Sequence, residues 1–258
     1  MAPPTGDEYT HVMSYNIYTA NSGKQAVIDL ILEQDPDVFG VQEASTAWAS
    51  YLPQLLEKYE MIGFGRDSTG VDCETATATN NAGEGCYIFY RKGMFNVVEA
   101  KTYWLSETPT TKSQFDCETD GYYRIFTYAK LKRVADGKDM VFCNTHLELN
   151  ADARALEVEM ILDYMAPYIA QNIPVIITGD FNLQTSETAA FGQFATAGLK
   201  SAGIDAIEKG TVTGTFPGSG AVIDYIMCSD DMEISYYSVI TDASNTSDHR
   251  PIGAWVKY

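Results

Sequence analysis

The chain closes on "NTSDHRPIGAWVKY", residues 245–258. A polar turn leads to the pair Asp248–His249, then to Pro251 and an apolar run that reads as a final strand. An Asp–His pair at that junction is either a solvated loop or half of a site begun earlier in the chain. Only His11, His146 and His249 are available to any histidine-based chemistry.

Earlier apolar runs end in the same way. "HVMSYN" stops at Asn16, "DVFGVQE" at Glu43, "MVFCNTH" at Asn144 and His146, and "PVIITGDFN" at Asp180 and Asn182, while "AVID" carries Asp224. Any one of these alone is ordinarily a turn or a helix cap. Six strand ends doing so together are hard to assign to turns, because strand ends at one rim of a layered protein converge. Glu43, behind an apolar run, needs a partner, since an unpaired buried carboxylate is costly. Carboxylate and amide oxygens suit a hard divalent ion, Mg2+ first, with Mn2+ or Ca2+ as alternatives. A carboxylate beside a histidine fixes its tautomer and raises its basicity, which suits a site that moves protons and stabilises charge.

Between these ends, strand-like and helix-like patterns alternate. Strands are expected at 11–17, 37–44, 61–65, 86–91 and 95–105, and helices at 23–34 and about 151–172. Residues 45–59 are helical in composition, with a break at Pro53, and a shorter helix is expected at 186–198. "ADGK" between two strand patterns reads as a hairpin turn, and three strands are expected to close the chain. Residues 66–85 and 106–121 are polar loops long enough to suggest function. Strand–helix–strand at the start is echoed from 139 to 183. Many strands, few helices and no linker composition predict a short tail, 1–9, and one domain, 10–258, built of two packed sheets with helices outside.

Seventeen basic residues stand against 35 acidic ones, a formal charge of −18. Such a body repels nucleic acid and anionic membranes unless local basic patches or metal ions reverse the field, so a phosphate substrate calls for a cation. The densest basic group, Lys130, Lys132, Arg133 and Lys138, reads as an exposed hairpin face. Among five cysteines, Cys143 and Cys228 sit in apolar runs as buried thiols. Cys73 and Cys117 fall in loops where a disulfide is possible, with Cys86 as an alternative partner. The expected location is secreted or extracytoplasmic, with the cytoplasm left open; no signal peptide or membrane-spanning run is seen.

In order, "SYN", "VQE", "NTHL", "GDFN", "IDYIM" and "SDHRP" resemble the endonuclease/exonuclease/phosphatase superfamily, to which pancreatic-type deoxyribonuclease belongs. The resemblance spans residues 10–258, and "GEGCYIFYRK" and "TYWLSETP" resemble its small bacterial members. It implies a four-layer α/β sandwich and a metal-dependent hydrolase of phosphate esters. It also implies roles: Glu43, Asn16 and Asp248 at the metal, with Asp180 at the attacking water or a second ion. Asn182 would orient that water. His146 and His249 would contact phosphate oxygens, Asp224 would orient His249, and Glu84 would pair with His146. Arg124 and Asn144 would contact the substrate phosphate; read by itself, Arg124 is a strand arginine whose stem covers apolar surface. The superfamily's substrates include nucleic acids, sphingomyelin and inositol phosphates, and fold does not choose among them. A phosphodiesterase, nuclease or phosphatase is expected, with a lipid or inositol phosphate hydrolase as the alternative and a non-catalytic binding protein behind both. The expected partner is a phosphate ester (nucleic acid, sugar phosphate or lipid head group), and the expected state a monomer.

Overall fold

In the computed structural model, residues 2–6, 8–118, 121–241 and 247–258 are described; Asn245 and Thr246 of the closing turn lie outside them. Strands form where apolar runs carry β-branched and aromatic residues. In chain order they are β1 (Thr10–Asn16), β2 (Val38–Ala44), β3 (Tyr59–Ile62), β4 (Gly85–Arg91), β5 (Phe95–Trp104), β6 (Ile125–Arg133) and β7 (Asp139–His146). Then come β8 (Val175–Asp180), β9 (Leu199–Ser201), β10 (Glu208–Lys209), β11 (Asp224–Ser229), β12 (Glu233–Val239) and β13 (Ile252–Lys257). The helices are α1 (Lys24–Gln34), α2 (Ala151–Ile169), α3 (Thr188–Thr196) and α4 (Ala202–Asp205).

Two mixed, open sheets result. One has seven strands in the order β10-β12-β13-β1-β2-β4-β3, and the other six in the order β5-β6-β7-β8-β11-β9. The repeat anticipated in the sequence is a pair of parallel crossovers. α1 joins β1 to β2, and α2 joins β7 to β8, each pair adjacent and parallel near the middle of its sheet. Both crossovers therefore bring two strand ends to the same rim.

Three apolar clusters separate four layers. Val12, Val38 and Ile88 of one sheet meet Leu131, Phe142, Ile176 and Ile226 of the other between the sheets. Val27, Ile28 and Ile31 of α1 cover Phe39 and Phe89 on one outer face. Val158, Ile161 and Met165 of α2, with Phe194 of α3, cover the other. This is the expected α/β sandwich.

Several boundaries differ. Residues 45–59 form two 3-10 turns, Thr46–Trp48 and Leu52–Glu57, with Pro53 at the start of the second, where its missing N–H costs nothing. β3 begins at Tyr59 rather than 61 because its register follows β4. β9, α4 and β10, between 199 and 209, fall where no element was expected. All five cysteines are free thiols, so neither Cys73 nor Cys86 is bonded to Cys117.

Candidate active site

The six-stranded sheet places three expected residues side by side. His146 on β7 and Asp224 on β11 are both in register with Asp180 at the end of β8. Asp180 is 1% exposed, and its Oδ2 is the hub of the cluster. That oxygen accepts from Asn16 Nδ2 at 2.9 Å and lies 3.4 Å from Nε2 of both His146 and His249. Oδ1 accepts the backbone N–H of Asn182 at 3.0 Å. His249 Nδ1 faces Asp224 Oδ2 at 2.9 Å, and the Phe216 ring packs against the imidazole at 4.9 Å.

The seven-stranded sheet contributes Asn16 and Glu43. A register shift against β4 lies between Val41 and Ala44, and Glu43 has φ 59°. A bulge of this kind re-aims a side chain at a strand end. Here Glu43 Oε1 accepts from Asn16 Nδ2 at 2.9 Å and Oε2 from the Thr19 N–H at 3.0 Å. The Asn16 amide therefore bridges the Glu43 and Asp180 carboxylates, one from each sheet. The closing loop is tied to the same place, because Ser247 Oγ donates to Asn16 O at 2.8 Å and accepts the His249 N–H at 3.1 Å. Asp248 is exposed at this mouth.

Protonation follows from that packing. Burial and the adjacent Asp224 push the Asp180 carboxyl up to about 7, against His249 and the hydrogen bonds from Asn16 and Asn182. Burial acts to lower the pKa of His249, but Asp224, Asp180 and Asp248 outweigh it and raise the imidazole to about 9. His146 is held well below its ordinary value by burial, reinforced by Arg124, His249 and Arg66. One histidine is thus cationic and the other neutral near pH 7.

Asp180, Asp224 and His249 present ligand atoms within 4.8 Å of one another. Burial and the charge of Glu43 also push the Asp248 carboxyl up, despite His249. Glu43, Asp180 and Asp248 thus crowd negative oxygens at a mouth where Asn16 supplies a neutral donor. That donor set fits a hard divalent ion.

Two expected roles fail on geometry. Asn144 is fully buried one pleat deeper than His146, with no route to a substrate. Its Nδ2 donates to Val41 O and Tyr87 O at 2.9 and 3.0 Å, and its Oδ1 accepts from Gln42 and Thr178 at 2.6 and 3.2 Å. It fastens the sheets together, and a Cβ at Gly40 would lie 2.3 Å from its Oδ1. Glu84 does not pair with His146. Its Oε2 lies 2.9 Å from Arg66 Nη1, and His146 Nδ1 is buried without a partner among the described residues.

Asn182 donates through Nδ2 to Leu147 O at 2.9 Å, which fixes its side chain beside Asp180. Arg124 precedes β6, is 5% exposed, and pairs through Nε with Glu148 Oε2 at 3.0 Å. It is not a surface strand arginine, because it is buried and lines a small cavity with His146, Glu43 and Arg66. Sequence reasoning missed Arg66, Glu148 and Thr215, whose Oγ1 accepts the Asp224 N–H at 3.1 Å. Glu148, two residues past His146, was detectable by strand alternation; Arg66, alone in a polar loop, carried no signal.

Comparisons with known proteins bear on the fold and the family. No curated protein matches the chain in sequence. A mannosyl-6-phosphatase of Bacteroides thetaiotaomicron is 26% identical, with a TM-score of 0.84 over 96% of this chain and 100% of its own. The human Nocturnin catalytic domain, solved with bound sulfate, is 20% identical, with a TM-score of 0.74 over 97% of this chain and 94% of its own. D. rerio TDP2, in complex with a single-strand DNA product, is 18% identical, with a TM-score of 0.69 over 98% of this chain and 100% of its own. The pattern described as "Endonuclease/Exonuclease/phosphatase family" matches residues 13–249, and the chain belongs to that family of phosphoester hydrolases.

Proposed function

We propose that the chain is a divalent-metal-dependent phosphoesterase that works by in-line attack of water on phosphorus. The observation that carries this reading is the convergence of Asn16, His146 and His249 on one oxygen of Asp180, from both sheets. Asp180 takes a proton from the attacking water, which Asn182 orients. His249, kept upright by Asp224, supplies positive charge to a phosphate oxygen, and neutral His146 contacts a second. The water oxygen bonds to phosphorus as the bond to the alcohol breaks, and the alkoxide takes a proton from solvent. Glu43, Asn16 and Asp248 would hold the ion, Mg2+ first, with Mn2+ or Ca2+ next. When bound, it supplies Lewis-acid charge at the phosphate.

Small esters fit better than nucleic acid. Lys130 and Lys132 pair with Asp139, and Arg133 and Lys138 with Asp136, so the basic hairpin offers no free cationic track. The likeness to a mannosyl-6-phosphatase makes sugar phosphates the first substrates to try. Purified protein with Mg2+ should hydrolyse a sugar phosphate or an aryl phosphate and lose that activity in EDTA. Cleavage of plasmid DNA alone would refute the small-ester reading.

A second reading rests on a cavity of about 440 Å3 that includes Asp224 in its wall and Ile204, Val212 and Val222 among its lining. These three side chains are 55%, 59% and 38% exposed. An apolar cavity beside the site suits a substrate with a bulky alcohol, a lipid head group included. Val212→Asp should then depress hydrolysis of long-chain phosphate esters while sparing short ones; equal effects on both would remove this reading.

A further inference from the structure

Arg66 is fixed in several places. Its N–H donates to Glu84 O at 3.0 Å, its carbonyl accepts from Trp104 Nε1 at 3.0 Å, and its Nη1 lies 2.9 Å from Glu84 Oε2. Its guanidinium sits 5.3 Å from the centre of the Tyr122 ring, and that of Arg124 sits 4.8 Å from the same ring. Arg124 is in turn held by Glu148. Two long side chains are thus ordered by folding, which lowers the entropy they lose on binding.

Both arginines line one small cavity with Glu43, Glu84, Cys86, Ile125 and His146. Its volume is about 10 Å3, so it admits one oxygen-sized group. Cys86 and Ile125, 4% and 2% exposed, close it behind. Among the described residues Arg66 pairs through Nη1 and Arg124 through Nε. A guanidinium carries five N–H donors, so each has donors beyond its carboxylate partner. The arrangement exceeds what pinning a loop requires. An Arg66–Glu84 pair alone would fasten residues 66–85 without a second guanidinium at the same ring.

We propose that Arg66 joins Arg124, whose phosphate contact the family resemblance already implies, in a two-guanidinium clamp for an outer oxygen of a terminal phosphate, selecting phosphomonoesters over internal phosphodiesters. The proposal rests on the hydrolase reading above and deepens it. A monoester offers three non-bridging oxygens and is largely dianionic near neutrality. A diester offers two such oxygens and one charge, and its second ester chain would have to leave through the closed end. Hydrolysis forms one P–O bond from water and breaks the one to the alcohol. The inorganic phosphate released still fits the clamp.

The test compares wild type, Arg66→Gln and Arg66→Lys in Mg2+, with melting curves to verify folding. Calorimetric titration with inorganic phosphate and with dimethyl phosphate reads the clamp without turnover. Turnover is read on p-nitrophenyl phosphate and bis(p-nitrophenyl) phosphate. Wild type should bind inorganic phosphate in preference to dimethyl phosphate and favour the monoester by at least about tenfold in kcat/KM. Arg66→Gln should weaken phosphate binding about 10- to 100-fold and raise monoester KM by a similar factor, narrowing the preference for the monoester over the diester to a few-fold. Arg66→Lys should recover part of the binding, since charge remains without the fork geometry. Unchanged phosphate affinity in a folded Arg66→Gln overturns the clamp, as does a wild type that prefers dimethyl phosphate or the diester. Arg66-independent phosphate binding with EDTA-sensitive hydrolysis would leave the hydrolase reading standing without the clamp. Selective, Arg66-dependent binding with no hydrolysis of either ester would do the reverse.

Discussion

Asp180 receives Asn16 and faces two imidazoles through a single oxygen, while burial and Asp224 keep its carboxyl near 7. Asp180→Asn keeps the shape and removes the proton acceptor, so turnover should fall by about 10^2 to 10^4 with folding retained. Rates within a few-fold of wild type in a folded variant would remove Asp180 from the chemistry. Asn144, two residues from His146, should behave in the opposite way. Three of its four hydrogen bonds join the sheets, so Asn144→Ala leaves the Val41 and Tyr87 carbonyls and the Gln42 amide each short of a partner. The expected loss is about 3 kcal/mol or more in urea unfolding, with KM unchanged in protein that remains folded. A raised KM at full stability would return Asn144 to the substrate. The contrast marks what was legible at this scale. A polar residue at a strand end is visible in sequence, but whether it faces the mouth or lies one pleat below depends on which carbonyls of the other sheet come within reach. Glu84 misled for a related reason. Its carboxylate position was readable, but its partner Arg66 lies across a loop whose path follows no periodicity.

At the scale of elements, the two crossovers were legible because each couples an apolar run, an amphipathic helix and a second apolar run. The short β9 and β10 were not, since pairing with β11 and β12 defines them rather than pattern, and the four-residue α4 between them is too short to show a period. α2 also carries a feature its amphipathic face did not announce. Glu157 is fully buried and its Oε2 accepts the Glu148 N–H at 2.7 Å. Burial, with Glu118 and Glu148 adding to it, raises its pKa to about 8 against the pull of that hydrogen bond and of Arg124. The folded protein therefore keeps a proton that the unfolded chain has released above the ordinary carboxylate range. The stability this proton contributes is full at about pH 4 and is lost as pH rises through about 8. Glu157→Gln should remove that dependence. Between pH 5 and pH 8, wild type should lose stability relative to the variant by about 1 kcal/mol per pH unit, read by urea unfolding at several pH values. Parallel curves for the two proteins would mean that Glu157 is ionised in the fold.

On the scale of the whole molecule, the sandwich holds its negative site together from two independent sheets. Glu43 and Asn16 belong to one, Asp180 and Asp224 to the other, and the closing loop, tied to Asn16, carries His249 across to Asp224. In a body with a formal charge of −18, the proposed cation at that seam would relieve repulsion between layers as well as serve the chemistry. Binding of Mg2+ should therefore be visible as stability. An ion present at about 100 times its Kd adds about 2.7 kcal/mol when it binds only the folded state. For a chain of this size that corresponds to a rise of about 5–10 °C in melting temperature. Glu43→Gln removes one charge from the proposed ion site and keeps one acceptor for either Asn16 Nδ2 or the Thr19 N–H, giving up the other hydrogen bond. It should melt near the wild-type temperature in EDTA, respond to Mg2+ by a small fraction of that rise, and lose turnover in parallel. The charge relief is a surface-to-seam effect, so monovalent salt at equal ionic strength should reproduce little of it. A wild type whose melting temperature ignores Mg2+, Mn2+ and Ca2+ alike, and whose hydrolysis survives EDTA, would place the source of positive charge in the arginines and His249 alone.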